Sequence, residues 1–90
     1  MSRLLLPQVL RSEAAGAASV TVEAATVGEA IDGLVARHPG LRARLLTADG
    51  RLHRFVNLYL NGEDVRYLGG LGTRVGADDE IRLLPAIAGG

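Results

Sequence analysis

Residues 26–37 read TVGEAIDGLVAR, and this stretch predicts the main helix of the chain. Thr26 and Glu29 have the spacing of a capping box, in which each side chain accepts a hydrogen bond from a free N–H group at the helix start. A basic last turn and a stop follow at residues 37–40, RHPG. The apolar residues between these ends recur at helical spacing and form one stripe: Val27, Ala30, Ile31, Leu34 and Val35.

Two strands are predicted before this helix. Residues 4–6 are three leucines, and Pro7 should end the first strand because proline cannot donate to a central ladder. Residues 11–18 are then predicted as a loop. Residues 19–23, SVTVE, alternate with period two and are rich in β-branched residues, as is typical of a half-buried strand. The two valines of that strand should face the core.

Three strands are predicted after the helix. Residues 41–46 first favour one more short helical turn, through their three leucines. Residues 55–60, FVNLYL, then run into Asn61-Gly62, a strong signal for a hairpin turn, and residues 65–67 are predicted as a short return strand. Residues 80–85, EIRLLP, predict the last strand.

The order strand, strand, helix, strand, strand, strand predicts an α+β fold, with a mixed sheet of about five strands and one main helix on one face. This arrangement suits a ubiquitin-like β-grasp, whereas a ferredoxin-like fold would need a second full helix. We expect residues 1–85 to form this domain and residues 86–90 to be a flexible tail. The predicted core combines the helix stripe with the inward residues of the strands: Val20, Val22, Val27, Ile31, Leu34, Val35, Val56, Leu58, Leu60, Ile81 and Leu83.

The composition excludes several classes of function. Ten basic residues balance ten acidic residues, so the formal net charge of zero indicates neither a nucleic acid nor a membrane as partner. The absence of Cys excludes disulfides, a thiolate nucleophile and a cysteine zinc site. All ten basic residues are Arg, so the amino terminus is the only amine. No apolar run approaches the roughly 20 residues of a spanning helix, and we expect a cytoplasmic protein.

Candidate catalytic and metal-binding residues lack the partners that such chemistry needs. His38 and His53 have no third ligand at metal spacing, so both are predicted to be loop histidines and no metal is expected. Residues 78–80, DDE, form an acidic turn without the pattern of a calcium loop. Residues 69–72, GGLG, lack the Lys-Ser/Thr of a phosphate-binding loop. We therefore predict no catalytic residue.

The carboxyl end of the sequence has a different character. Gly89 and Gly90 follow an apolar strand and a proline instead of a polar tail. Because glycine has no Cβ, these two residues can enter a narrow channel and bring a terminal carboxylate to a reactive centre. A frayed end without a function is the alternative interpretation.

At these residues the chain resembles a known family. Residues 79–90, DEIRLLPAIAGG, resemble the ending of the ThiS/MoaD family of ubiquitin-like sulfur carriers, whose members close with an acidic turn, a strand, a proline and Gly-Gly. Residues 52–66, LHRFVNLYLNGEDVR, and residues 69–71, GGL, resemble in particular the CysO-type carriers of cysteine biosynthesis. The resemblance covers nearly the whole chain and is weak at residues 9–18.

The resemblance implies a protein co-substrate and not an enzyme. In this family an ATP-dependent adenylating enzyme of the MoeB type activates the carboxyl group of the last glycine, and a sulfur donor converts that group to a thiocarboxylate. An acceptor enzyme then takes the sulfur. Gly90 is thereby expected to be the site of adenylation and thiocarboxylate formation, and Gly89, Ala88 and Ile87 are expected to thread into the partner enzymes.

For the CysO type, the resemblance implies a pyridoxal-phosphate cysteine synthase as acceptor and a zinc metalloprotease that releases the new cysteine. ATP, pyridoxal phosphate and zinc would belong to these partners, and no cofactor is expected on this chain. The small subunit of molybdopterin synthase, or a carrier of another sulfur-transfer pathway, is the nearest alternative. A non-covalent β-grasp interaction module is an alternative of another class. The pathway, the sulfur donor and the oligomeric state stay open.

Alternation along the strands also predicts a partner surface. Phe55, Tyr59, Arg82 and Leu84 should lie on the sheet face opposite the helix, where a fold with one helix has no cover. Exposed apolar surface of this kind often marks an interaction site. Our hypothesis is that this face docks the adenylating enzyme. In the alternative interpretation, the loop at residues 11–18 or a dimer contact covers it.

Overall fold

The computed structural model describes residues 2–53 and 56–85. Three α-helices are present in this part of the chain: α1 (Gln8–Arg11), α2 (Val27–Arg37) and α3 (Arg42–Leu45). Short 3-10 turns lie at Ser12–Ala14, Pro39–Leu41, Val65–Tyr67 and Gly70–Gly72. The strands are β1 (Ser2–Leu5), β2 (Ser19–Val22), β3 (Val56–Leu60), β4 (Glu63–Asp64) and β5 (Glu80–Pro85).

The strands form one mixed sheet in the order β2-β1-β5-β3-β4. β1 pairs parallel with β5, and all the other neighbouring strands pair antiparallel. The first and last strands in sequence are therefore neighbours, and β5 is the middle strand. This mixed five-stranded sheet, with α2 as its main helix, confirms the predicted ubiquitin-like β-grasp.

The start of α2 has the predicted capping interactions. Thr26 Oγ1 accepts a hydrogen bond from the Glu29 N–H at 3.2 Å. Glu29 Oε1 accepts one from the Ala25 N–H at 2.9 Å, one residue before the position used in a standard capping box. At the other end, the His38 N–H donates to the Leu34 carbonyl oxygen at 2.9 Å, and Pro39 follows. The sequence thus predicted both ends of α2 correctly.

The core lies between the sheet and α2, and all eleven predicted core residues are buried. Apolar residues outside the predicted set complete it. These residues are Leu4, Leu6, Leu10, Ala14, Ala30, Leu41, Leu45, Leu46 and Val65, and most of them lie in the segments that flank the sheet. The short helical turns therefore contribute buried apolar side chains to the core in addition to those of α2.

The predicted return strand at residues 65–67 is wrong. The strand is Glu63–Asp64, and Val65–Tyr67 is a 3-10 turn. The Asp64 side chain accepts a hydrogen bond from the Arg66 N–H at 2.9 Å, so the chain turns at Asp64 instead of continuing along β3. This turn buries Val65 and leaves 85% of Tyr67 exposed.

The predicted loop at residues 11–18 is partly helical. Arg11 ends α1, and Ser12–Ala14 form a 3-10 turn that buries Ala14. Ala15 and Gly16 then take positive φ angles of 56° and 84°, which reverse the chain toward β2. Phe55 and residues 86–90 lie outside the described residues, so the expected flexible tail at residues 86–90 stays a prediction.

Candidate functional site

The predicted tail, residues 86–90, begins after Pro85 at the carboxyl end of β5. Pro85 lies opposite Val56, the first residue of β3. On the other side of β5, the ladder with β1 ends where Leu5 lies opposite Arg82. Ile87, Ala88, Gly89 and Gly90, the predicted threading and reactive residues, lie outside the described residues. One residue, Ala86, separates them from Pro85, the last residue of the central strand.

The outer face of the sheet brings together the described members of the predicted partner surface. Tyr59 lies directly opposite Arg82, and Leu84 lies opposite Asn57 in the same ladder. Tyr59 is half-buried, Arg82 is exposed and Leu84 is 38% exposed. Residues 11–18 therefore do not cover Leu84. The fourth predicted member, Phe55, lies outside the described residues.

Two shallow grooves flank this face. One, of about 380 Å³, lies between the end of β1 and β5 and is lined by Leu5, Pro7, Arg11 and Leu84 among others. The second, of about 310 Å³, lies on the β3 side of β5; its lining includes Tyr59 and Gly62, together with the side of Leu84. Leu84 therefore lies between the two grooves and immediately before Pro85, the last residue of β5.

Asn57 is a residue of this face that the sequence analysis missed. Its side-chain oxygen Oδ1 is buried and has no hydrogen-bond partner among the described residues. A buried acceptor without a donor is uncommon and costs free energy. Alternation could have found this residue, because Asn57 has the same parity as Tyr59 in β3.

Comparison with known proteins shows the family to which the chain belongs. A sequence model of the ThiS family matches residues 4–90. The chain belongs to the ThiS family. Sulfur carrier protein CysO of Mycobacterium tuberculosis is 44% identical over 87 residues, which cover 94% of each chain. Small archaeal modifier protein 1 of Haloferax volcanii is 40% identical over 82 residues, covering 88% of this chain and 90% of that protein.

Solved structures agree with this membership of the ThiS family. A chain in the crystal structure of the Amycolatopsis orientalis BexX/CysO complex superposes with a TM-score of 0.91 at 44% identity, covering the whole of both chains. The predicted recognition of the family, made from the central block and the Gly-Gly ending, is therefore confirmed.

The remaining candidate residues of this ThiS-family chain do not form a metal centre. Within residues 2–53 and 56–85, no group of three or more His, Asp or Glu side chains could hold a metal ion. His38 lies half-buried after α2, and His53 is tied to α3 by its backbone N–H, which donates to the Leu45 carbonyl oxygen at 2.7 Å. None of the described helices is both long enough and apolar enough to cross a membrane.

The acidic turn before β5 has a structural role in the ThiS fold. Asp79 accepts hydrogen bonds from the Asn61 side-chain amide at 3.0 Å and from the Gly76 N–H at 2.6 Å. These bonds, that of Asn61 above all, lower the pKa of Asp79 below its ordinary value. Glu80 forms an ion pair with Arg3 on the neighbouring strand. The turn therefore fixes the start of β5, at the end opposite to the tail.

Proposed function

We propose that this chain is a sulfur carrier whose last glycine, Gly90, is adenylated, converted to a thiocarboxylate and used as a sulfur source by an acceptor enzyme in cysteine biosynthesis. The observation that carries the proposal is the 44% identity with CysO over nearly the full length. The fold adds to it, because residues 86–90, which end in Gly-Gly, follow the central strand of the sheet.

The chemistry needs no catalytic group on the carrier. A carboxylate oxygen of Gly90 attacks the α-phosphorus of ATP, and pyrophosphate leaves. A hydrosulfide ion supplied by the sulfur donor then attacks the activated carbonyl carbon and loses its proton, AMP leaves with one of the original carboxyl oxygens, and a thiocarboxylate remains. ATP would be bound by an adenylating enzyme of the MoeB type. The absence of Lys leaves this chain no side-chain amine that could attack its own activated carboxyl group.

The later partners are also part of the proposal. We infer a pyridoxal-phosphate cysteine synthase as the acceptor and a zinc metalloprotease that releases the product, with no cofactor held by the carrier itself. The cytoplasm is the proposed location because activation consumes ATP. A chain without Cys is also suited to a reducing compartment.

The length of the tail limits where the reactive centre can lie. Five residues follow Pro85, and a fully extended chain of that length reaches about 17 Å. The adenylating site must therefore lie within about 17 Å of the end of β5 when the carrier is docked. The surfaces close to that end are therefore the nearest to the reactive centre of the partner.

We propose the outer sheet face as one such surface. Leu84 is apolar, exposed and one residue from the end of β5, and Asn57 lies opposite it in the ladder. A partner that covers Leu84 with apolar surface would remove this side chain from water. Tyr59 and Arg82 extend this face along the ladder, and Phe55 is assigned to it by parity alone.

The sheet face is tested by replacing Leu84 with serine. Leu84→Ser should leave the protein folded and raise the KM for the carrier in adenylation about fivefold, which corresponds to a loss of about 1 kcal/mol of contact with the partner. Leu68→Ser is the matched control, because Leu68 is 43% exposed and lies in a different part of the fold. Equal kinetics for both variants, and for Phe55→Ser, would show that the face is not the docking site.

The carrier chemistry is tested by intact mass. Incubation with the cognate adenylating enzyme, ATP and a sulfur donor should exchange one oxygen of the chain for sulfur. Deletion of Gly90, or Gly89→Leu, should abolish this exchange while the thermal midpoint stays unchanged, because both changes lie beyond the sheet. Ala88→Gly, which keeps the chain length and adds no bulk, should retain it. Sulfur transfer by the Gly90-deleted chain would contradict the carrier function and favour a non-covalent interaction module.

Protein modification is a second candidate, favoured by the 40% identity with small archaeal modifier protein 1. The same activated carboxyl group of Gly90 would then react with an amine of another protein, and an amide bond would form in place of a thiocarboxylate. Mass spectrometry of cellular proteins distinguishes the two functions. After trypsin digestion, a remnant of residues 83–90 on lysines of other proteins, dependent on Gly90, would indicate modification, because Arg82 is the last site at which trypsin can cleave this chain.

A further inference from the structure

The charges of the chain are separated although they sum to zero. Residues 37–54 contain five arginines and one aspartate, a formal charge of +4, so the other residues carry −4. The arginines of this segment that lie within the described residues are Arg37, Arg42, Arg44 and Arg51. We refer to these four residues as the basic collar.

The segment that carries the collar passes the carboxyl end of β5. At one side, Arg44 Nη1 lies 2.8 Å from Glu13 Oε1, in the 3-10 turn that follows β1 and α1. At the other side, the His53 carbonyl oxygen accepts a hydrogen bond from the N–H of Val56, the first residue of β3. Because β5 lies between β1 and β3, the segment crosses the end of the sheet from which the tail starts.

The arginines of the collar are available to a partner. Arg37 and Arg42 are exposed, and the Arg51 side chain is 85% exposed, with Nε 3.5 Å from Asp49 Oδ2. Arg44 keeps about half of its side chain exposed despite its pair with Glu13. Ion pairs at such exposed positions are weak, so these arginines can exchange their partners at little cost.

The opposite end of the sheet is acidic. Asp78 and Asp79 precede β5, Glu80 is its first residue, and Glu63 begins β4 beside the Leu60 end of β3. Arg3 pairs with Glu80 there, and Arg74 is exposed near the start of α2. The molecule therefore has a positive end, where the tail leaves, and a negative end, where β5 begins.

We propose that the basic collar is an electrostatic docking surface for an acidic rim around the channel of the adenylating enzyme. The inference rests on the proposed function. A tail that reaches only about 17 Å forces the channel entrance close to the collar, so a rim of opposite charge would lie against it. Charge complementarity of this kind raises association rates and orients the partners during approach. A polyanion such as nucleic acid fits less well, because the negative end offsets any net attraction.

The test is the association of the carrier with its cognate adenylating enzyme, measured by surface plasmon resonance with the enzyme immobilised. Arg42→Glu combined with Arg51→Glu should lower the association rate constant at least about tenfold at about 0.05 M salt. The difference should largely disappear at about 0.5 M salt, where exposed charges are screened. Arg74→Glu, compared with Arg42→Glu alone, is the control, because each changes the formal charge by −2; the change at the negative end should not slow association, whereas the change in the collar should.

The outcomes separate this inference from the proposed function. If the wild-type chain is adenylated and the collar variant associates as fast as the Arg74→Glu variant, the collar is not a docking surface and the carrier function stands. If the wild-type chain neither binds the enzyme nor is adenylated, the proposed function fails, and the inference fails with it. If sedimentation shows that the collar holds a second copy of this chain, or if a DNA duplex binds it at physiological salt while enzyme association is unchanged, the inference is overturned.

Discussion

Asp79 is the residue that ties the start of the last strand to the neighbouring hairpin. Its two oxygens accept hydrogen bonds from Asn61 and Gly76, and Asn61 Oδ1 in turn accepts one from the Glu80 N–H at 3.1 Å. Asn61 is able to reach Asp79 because it has a positive φ of 50°, the conformation of the predicted Asn-Gly turn. One carboxylate thus joins two turns that are distant in sequence.

The lowered pKa of Asp79 predicts a pH dependence of stability. A carboxyl group with a lower pKa in the folded state than in the unfolded chain stabilises the fold above about pH 4, and this stabilisation is lost as the pH falls through the folded pKa. Asp79→Asn should therefore unfold at lower urea than the wild type at pH 7, and the difference should shrink toward pH 3. Asp78→Asn, the control, should differ little from the wild type at pH 7. A constant difference from pH 7 to pH 3 would contradict this account.

At the scale of elements, α2 contains two glycines in different surroundings. A Cβ on Gly28 would lie 3.1 Å from the backbone carbonyl oxygen of Leu71, whereas a Cβ on Gly33 would lie 3.4 Å from side-chain carbons of Val22. The distance of 3.1 Å is too short for a Cβ next to a backbone oxygen that cannot move freely. The distance of 3.4 Å is an ordinary van der Waals contact. Gly28 therefore allows the turn at Gly70–Gly72 to pack closely against the helix.

These surroundings predict opposite effects of the same substitution. Gly33→Ala should raise the free energy of unfolding by roughly 0.5 to 1 kcal/mol, because alanine favours the helix and restricts the unfolded chain. Gly28→Ala should lower it despite the same gain in helix propensity, because the Leu71 backbone must move. Urea denaturation of the two variants measures both effects. Equal stabilisation by both would show that the Leu71 contact is not close in solution.

Pattern in the sequence predicted the elements that have strong local signals. The Thr26 cap, the stripe of α2 and the alternation in β2, β3 and β5 all hold in the structure. The return strand at residues 65–67 was placed wrongly because a single buried valine between polar residues fits a strand and a 3-10 turn equally well. Helix α1 was missed because four residues after a proline give no measurable periodicity.

The sequence predicted the part of the candidate site that depends on alternation within a strand. Parity alone placed Tyr59, Arg82 and Leu84 on one face, because alternation needs no knowledge of the strand order. The buried Asn57 oxygen, which has no hydrogen-bond partner among the described residues, and the grooves beside Leu84 depend on which strands are neighbours, and parity does not give the strand order. The basic collar also depends on the strand order, because residues 37–51 meet the end of β5 only when β5 lies between β1 and β3.

For the molecule as a whole, the central position of β5 predicts a sharp limit to truncation. A chain that ends at residue 79 lacks the strand that joins β1 to β3 and loses Ile81 and Leu83 from the core. It should show neither a cooperative thermal transition nor the far-ultraviolet circular dichroism of the full chain. A chain that ends at Pro85 should keep both. Cooperative unfolding of the shorter chain would show that β1-β2 with α2 forms a stable unit on its own.

The pairing of β1 with β5 also affects how the carrier is made in the cell. Ribosomes synthesise a chain from its amino end, so β1 and β3 must wait, each with an unpaired edge, until β5 has been translated. An incomplete chain exposes these strand edges and its unfilled core, which are features that promote aggregation and that chaperones and proteases act on. A molecule that has folded has necessarily been translated to the residue at which its reactive tail begins. Folding therefore separates chains that contain β5 from chains that stop before it, and we expect only the latter to be recognised as unfolded.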